Sequence, residues 1–369
     1  MKKTLLAAAL IAGFAGVAQA ETSVTLYGII DTGIGYNKVK GERADGSKFD
    51  GSKFGMINGV QNGSRWGLRG TEDLGDGLKA VFQLESGFTS NNGESAQNGR
   101  LFGRQATVGL QSDSWGRLDL GRQTNIASKY FASIDPFGNG FGQANHGVSL
   151  SAANTVRYDN MVMYQTPSFD GFQAGVGYSF NANDAAGSEF RTNNNTRAIT
   201  AGVRYVNGPL NAALSYDQLN APGNVDVNGA KPRMYALGVS YDFEVVKLAL
   251  AYGRTTDGWF AGQNVASEAG NLNFGNNAFA DGFKSNSYMV GLTAPIGGAS
   301  KVFGSWQMVD PSNDKLTGDD KTTNVFSLGY TYDLSKRTNL YAYGSYAKNY
   351  AFLEDVKSTA VGVGVRHRF

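Results

Sequence analysis

Past residue 20 the chain alternates. Val24, Leu26, Gly28 and Ile30 interleave with Thr25, Tyr27, Ile29 and Asp31; Leu78, Ala80, Phe82 and Leu84 interleave with Lys79, Val81, Gln83 and Glu85. The same two-residue period recurs in Ile199–Tyr205, Tyr235–Phe243, Tyr288–Ala294, Phe326–Leu334 and the terminal TAVGVGVRHRF. A period of two is the signature of a strand with two unlike faces. Turn-forming runs such as TEDLGDG, SDSWG, VNGP, PIGG and LSKR alternate with longer connections. The pattern predicts about sixteen strands, seven short turns and eight longer loops.

One face of these strands carries Val, Leu, Ala, Tyr and Phe; the other carries Gly, Ser, Thr, Asn, Gln and occasional charges. A soluble β-sandwich also alternates. Its buried face favours tight Val, Ile and Leu packing, whereas Tyr and Phe near strand ends suit aromatic girdles at two membrane interfaces. The glycine-rich face is expected to be unable to form a solid core and to line a water-filled lumen. In lipid only a closed sheet satisfies its edge strands. The expected fold is therefore all-β, a transmembrane antiparallel β-barrel of about 16 strands.

One stretch breaks the rhythm. Asn125–Ala153, NIASKYFASIDPFGNGFGQANHGVSLSAA, has no sustained alternation, contains Pro136 and is flanked by strand-like segments. Loops of this length in compact proteins are usually functional. Folded into the lumen, it makes the barrel a size- and charge-selective pore.

Composition sets the compartment. Lys2 and Lys3 precede the apolar run LLAAALIAGFAGVA and then Ala18-Gln19-Ala20, the layout of a signal peptide over residues 1–20 with a barrel domain over 21–369. Losing Lys2 and Lys3 takes Lys plus Arg from 33 to 31, against 31 Asp plus Glu. A balanced mature chain gives no reason to expect nucleic acid, so electrostatic function rests on where the charges sit. There is no Cys, so the exported fold holds without disulfides.

Strand parity places those charges. Trp66, Leu68 and Gly70 point outward, which turns Arg65 and Arg69 inward; Lys79 and Arg204 also fall inside. Taking Val156, Tyr158, Val162 and Tyr164 as outer leaves Arg157 and Asp159 inside, while the direction of Arg104 stays open. Arg122 shares parity with Leu118 and Leu120 and points outward, to the rim or a neighbouring subunit. The long loop has one acid, Asp135, against Lys129 and His146. Wall arginines facing an acid-poor loop favour anions, moderated by Asp31, Glu85 and Asp159.

The segments SVTLYGIIDTGI, SRWGLRGTEDLGDGLKAVFQLESGF, GRQATVGLQSDSWGRLDLGRQ, VRYDN and VGVGVRHRF resemble the Gram-negative general porins, particularly their beta-proteobacterial branch, across the whole mature chain. The resemblance implies a homotrimer of sixteen-stranded barrels in the outer membrane, among lipid and lipopolysaccharide, inserted by the barrel assembly machinery. It also implies a third long loop inside each pore, and passage of small hydrophilic solutes and ions. Arg65, Arg104 and Arg157 match the family's ladder of wall arginines, with Arg69 and Lys79 on the same wall. Relatives carry P-E-F-G in the loop; here the constriction residues are Asp135, Pro136 and Phe137, with no acid after the proline. That departure weakens a carry-over of cation preference. Arg122 corresponds to an outward arginine against the next protomer, and Phe369 resembles the family's assembly signal.

Two other classes compete. A barrel hydrolase would use His146 near Asn145, Ser149 and Ser151. A display or adhesion protein would use the loops Asn37–Asn62 and Asp257–Lys284. Asp310, Asn313 and Asp314 lack the rest of a calcium loop, and VGVGV lies on a strand with no helix after it. No cofactor is expected.

Overall fold

The computed structural model describes residues 23–42, 46–183, 191–261 and 276–369; the expected signal peptide, 1–20, lies outside them. The first strands are β1 (Ser23–Glu42), β2 (Lys48–Asn58), β3 (Arg65–Gly75), β4 (Leu78–Gly87), β5 (Gln105–Ser112) and β6 (Gly116–Thr124). After the long interruption come β7 (Arg157–Gln165), β8 (Phe172–Ser179), β9 (Arg197–Asn207), β10 (Leu210–Asn220), β11 (Arg233–Asp242) and β12 (Lys247–Trp259). The wall ends with β13 (Ala278–Ile296), β14 (Ser300–Pro311), β15 (Thr323–Asp333), β16 (Thr338–Lys348) and β17 (Lys357–Arg368). Each pairs antiparallel with its neighbours, and β17 returns to β1 from Ile29↔Arg368 to Lys40↔Lys357.

Seventeen segments make sixteen staves. The upper half of β1 pairs with β2 (Thr32↔Asn58 to Glu42↔Lys48) and its lower half with β3 (Ser23↔Thr71 to Ile29↔Arg65). Thus β2 and β3 share one stave, broken at residues 59–64. Gly59 adopts a left-handed φ of 63° there, and Asp31 gathers the break. It accepts from the Asn62 N–H at 2.6 Å and from the Tyr341 hydroxyl at 2.7 Å, and its backbone exchanges hydrogen bonds with the Ser64 hydroxyl. Much of the stretch expected as a loop at Asn37–Asn62 is instead a β-ribbon, because β1 and β2 continue past the membrane belt. Of the other display loop, 262–275 lie outside the described residues.

The outer wall is apolar and exposed, the reverse of a soluble protein. Leu26, Val108, Leu214 and Leu328 are each more than half exposed. Large apolar side chains that stay accessible in the isolated chain are the belt that lipid covers. Aromatics ring both ends: Phe172–Tyr205 and Tyr241–Phe243 near the short turns, Tyr216–Tyr235 and Tyr252–Tyr288 near the long loops, with centroids 4.4 to 5.5 Å apart. Closure is completed at the C-terminus, where Phe369 and Gly28 exchange backbone hydrogen bonds of 3.0 and 3.1 Å.

The inner wall departs from expectation. Half of it does form a solid core, because the loop after β6 fills it. Ile126, Tyr130, Phe131, Ile134 and Leu150 of the loop pack with Met161, Met163, Met234 and Met289 of the wall, all 1% exposed or less. Glycines make the room. A Cβ on Gly175 would come 2.5 Å from Ile126, one on Gly202 2.9 Å from Ile126, one on Gly238 2.8 Å from Phe131 and one on Gly253 2.5 Å from Leu150. The residues read as lining open water are largely a mould for the loop.

A second correction concerns β7. Asn160 takes a left-handed φ of 48°, and the β6–β7 register jumps from Gly121↔Met161 to Gln123↔Tyr158. The bulge flips parity, so Tyr158, expected outside, is fully buried in the inner core, and Asp159 lies across the strand from it.

Gly238→Val should lose about 1–3 kcal/mol through overpacking against Phe131, read as a lower heat transition of the detergent-folded barrel. Gly55→Ala, whose added Cβ meets nothing within 4 Å, should stay within about 0.5 kcal/mol of wild type.

Candidate pore constriction

The inward loop is shaped by its own polar residues. Asn125 caps the short helix α1 (Ile126–Phe131), accepting from the Ser128 N–H at 3.2 Å. Its amide nitrogen donates to the Ala152 carbonyl at 2.8 Å and to Asp217 of β10 at 2.7 Å. One side chain thus ties the start of the loop to its end and both to the wall. Beyond the helix, Asp135 accepts from the backbone N–H groups of Phe137 (3.1 Å), Asn139 (2.9 Å) and His146 (3.4 Å). Gly138, Asn139, Phe141 and Gly142 are all left-handed, which coils GNGFG tightly. A left-handed conformation is costly for a bulky side chain. Phe141 recovers it by burial among Phe137, Phe303, Tyr341 and Tyr343, each centroid 5.6 Å away.

Opposite stands the arginine wall. Glu85, at the end of β4, holds Arg104 at 2.7 Å and Arg65 at 3.7 Å and accepts from the Tyr27 hydroxyl at 2.9 Å. Arg65 also donates to the Gly63 carbonyl in the β2–β3 break at 2.9 Å. Arg157, at the first residue of β7, lies within electrostatic reach of Arg65, Arg104, Arg122 and Glu85. Its Nη1 donates to the Thr155 carbonyl at 3.3 Å, and its Nε is buried without a partner. Asp159 binds Arg100 at 2.7 Å and Arg122 at 2.6 Å. On the lumen side Arg65, Arg104 and Arg157 against Glu85 leave an excess of two positive charges, while Asp159 and its two arginines share the outward face.

Each expected site residue has a definite place. Arg65, Arg104 and Arg157 are brought together. Arg69 stands further along β3, its guanidinium 5.4 Å from the Tyr27 ring. Lys79 is not at the constriction: it sits next to the β3–β4 turn, opposite Asp73 and six residues from Glu85, roughly 20 Å along the strand. Asp135 is buried and spent on the loop backbone. Pro136 and Phe137 anchor the loop, Pro136 against Gly291 and Phe137 with its ring 5.0 Å from Phe303. Arg122 keeps the expected parity with Leu118 and Leu120 and is held within the chain by Asp159 and the Gly103 carbonyl, 2.7 Å away.

Sequence reasoning missed Arg100, which lies in the loop before β5 where no alternation assigns direction, and gave Glu85 only a diluting part. It also missed the burial of Lys129. The Lys129 ammonium donates to Gln123 Oε1 at 3.1 Å beside Met163. Burial pulls it down to about 8, partly opposed by Asp119. The residues of the hydrolase reading serve the loop's fold: His146 Nε2 is 3.2 Å from the Ala153 carbonyl, and the Ser149 hydroxyl bonds the His146 carbonyl and Gln307, both at 3.0 Å. Among the described residues no group of His, Cys, Asp or Glu is placed to hold a metal.

A closed antiparallel barrel with an apolar belt outside and a charged, loop-narrowed lumen inside defines a transmembrane β-barrel channel. The chain belongs to the Gram-negative porin family, whose model matches residues 7–351. It is 75% identical to an outer membrane porin protein of Bordetella pertussis over the full length of both chains. It is 34% identical to outer membrane porin protein 32 of Delftia acidovorans over 98% of this chain and 92% of the other. Among solved structures it superposes on the anion-selective porin from Comamonas acidovorans with a TM-score of 0.70 at 31% identity, covering 94% of this chain and all of that one. The protein is an outer-membrane porin, a water-filled channel for passive diffusion.

Lys129 gives a pH signature. Its folded pKa lies below the ordinary lysine value of about 10.4, so the cost of keeping it charged under the loop is full below pH 8. That cost fades as pH rises from about 8 towards 10. Lys129→Met should therefore raise the heat transition at pH 7, by up to about 3 kcal/mol. The advantage over wild type should vanish near pH 10.5, measured by thermal unfolding in detergent across that range.

Proposed function

We propose that the pore passes small hydrophilic solutes and ions with a mild preference for anions, and that the Arg65–Arg104–Arg157 wall sets that preference. One observation carries the reading: the wall holds two more arginines than carboxylates, Arg65, Arg104 and Arg157 against Glu85, while the loop's one acid, Asp135, is turned into its own backbone. Fixed positive charge beside a narrow aqueous passage concentrates anions and repels cations. Glu85 inside the cluster keeps the field moderate. The anion-selective name of a solved relative at 31% identity points the same way.

The working unit in this reading is a homotrimer, formed after export and removal of residues 1–20. Arg122, Arg100 and Asp159 lie near the boundary with the next protomer, and the apolar belt sits among outer-membrane lipid and lipopolysaccharide. Phe369 remains 44% exposed after its backbone has closed the barrel, which suits a residue read by the barrel assembly machinery.

Planar-bilayer reversal potentials under a salt gradient test the sign. Wild type should prefer chloride over potassium. Arg157→Gln should lower the anion-to-cation permeability ratio by roughly half and Glu85→Gln should raise it by a similar factor. A cation-selective wild type overturns the proposal.

A further inference from the structure

The inward loop does not stop at the wall it packs on. Its tip crosses the lumen and meets the break between β2 and β3: the Phe141 N–H donates to the Val60 carbonyl, and Gly140 packs against the Gln61 carbonyl so closely that no Cβ fits. The far side is pinned as well. Gln143 donates to the Ser345 hydroxyl at 3.2 Å and accepts from the Ser358 hydroxyl at 2.6 Å, and Asn339 of β16 donates to Gln61 Oε1 at 2.8 Å. The Val60–Phe141 bridge has Arg65 next to the break on one side and Phe303, Tyr341 and Tyr343 of β14 and β16 packed on its ring on the other.

The β14–β17 side holds an interrupted passage. A cavity of about 670 Å³ opens towards the short turns, lined in part by Gln61, Phe137, Phe141, Phe303, Asn339 and Arg337. A second, of about 610 Å³, opens towards the long loops, lined in part by Val60, Gly142, Gln143, Tyr343, Tyr350 and Ser358. Between them stand the Phe141 ring, Tyr343 and the Val60–Gln61 backbone. Phe141 is 2% exposed, and Phe137, Phe303 and Tyr341 are nearly as buried. A wet lumen gives no general reason to bury four aromatic rings against one another, and backbone and amide hydrogen bonds hold the tip as well.

We propose that Phe141 and Phe303, with the Gly59–Ser64 break as their seat, seal a second lane through the barrel and so determine selectivity by forcing traffic past the arginines. The neck of that lane is formed by Val60, Gln61, Phe141, Phe303 and Tyr343, none of them charged. The cavity below it mixes bases such as Lys301, Arg337 and Arg366 with acids such as Asp242, Glu244 and Asp333, so opening the neck adds conductance with a weaker anion preference than the arginine wall imposes. The seal rests on the reading of the chain as an anion-preferring pore, and it extends that reading from which residues attract anions to which residues close the bypass.

The test is single-channel conductance and reversal potential in planar bilayers, with folding checked by heat-modifiable trimer mobility. Phe141→Ala and, independently, Phe303→Ala from the wall side should raise conductance about 1.5-fold and move the permeability ratio towards unity. The two roles of Phe141, seal and anchor, are separated by the pair Val60→Cys/Phe141→Cys. The native chain has no Cys, so oxidation ties the tip down covalently while the ring is gone. A locked pair with raised conductance and eroded selectivity supports the seal. Conductance and reversal potential equal to wild type in the locked pair and in Phe303→Ala overturn it and leave the anion-preferring pore standing. A wild type without anion preference overturns the pore reading, and the seal's selectivity role with it.

Discussion

A peptide group in hydrocarbon has no water to bond, and every feature of this barrel descends from that constraint. Twelve register pairs between β1 and β17 leave no open edge. Closure then frees the inner face from the rule that governs soluble sheets. It needs no matching apolar layer, so polar and glycine positions cost nothing there until something is placed against them. The break between β2 and β3 shows the limit of that freedom. Its backbone leaves the ladder, and Asp31 takes its N–H groups, the carbonyl accepting from Gly59 and the carboxylate from Asn62, while Tyr341 holds that carboxylate and Asn339 the Gln61 side chain.

The loop is what makes use of the inner face. A segment of this length inside a barrel must bury its own apolar side chains, and the wall receives them only where Cβ atoms are missing or side chains are flexible. Gly175, Gly202, Gly238 and Gly253 provide the first condition, and Met161, Met163, Met234 and Met289 the second. Asn125 adds the geometric closure. Because it binds Ala152 and Asp217 at once, the two ends of the loop enter and leave the wall at one point, and the middle is obliged to project across the lumen.

Much of this was legible in the sequence, and the boundary of what was legible is physical. Period-two alternation reports the outer face faithfully, because lipid tolerates only apolar side chains there; it therefore gave the strands, the turns and the inward direction of Arg65. It failed at Tyr158, where one left-handed residue, Asn160, inverts the register with no compositional mark beyond an Asn. Parity placed Lys79 on the right face but not at the right height, since alternation carries direction and no depth. The glycines were read as lining water because nothing in a single strand announces that a distant loop will be seated on it. Arg100 was invisible for the opposite reason: in a loop, no period assigns a direction.

Charge shows why counting is a poor guide to field. Residues 21–369 balance their lysines and arginines against their acids, yet near the constriction the acids are occupied one by one. Asp31 holds the β2–β3 break, Asp135 the turn of the loop, and Asp217 the Asn125 amide. Glu85 and Asp159 each answer two arginines. A carboxylate that accepts backbone or amide hydrogens is faced by neutral protein dipoles, and little of its field reaches the passage. Arg157, by contrast, bonds a carbonyl and has three arginines around it against Glu85. The positive excess therefore arises from folding, because building the loop and the break uses acids and leaves the wall arginines outnumbering theirs.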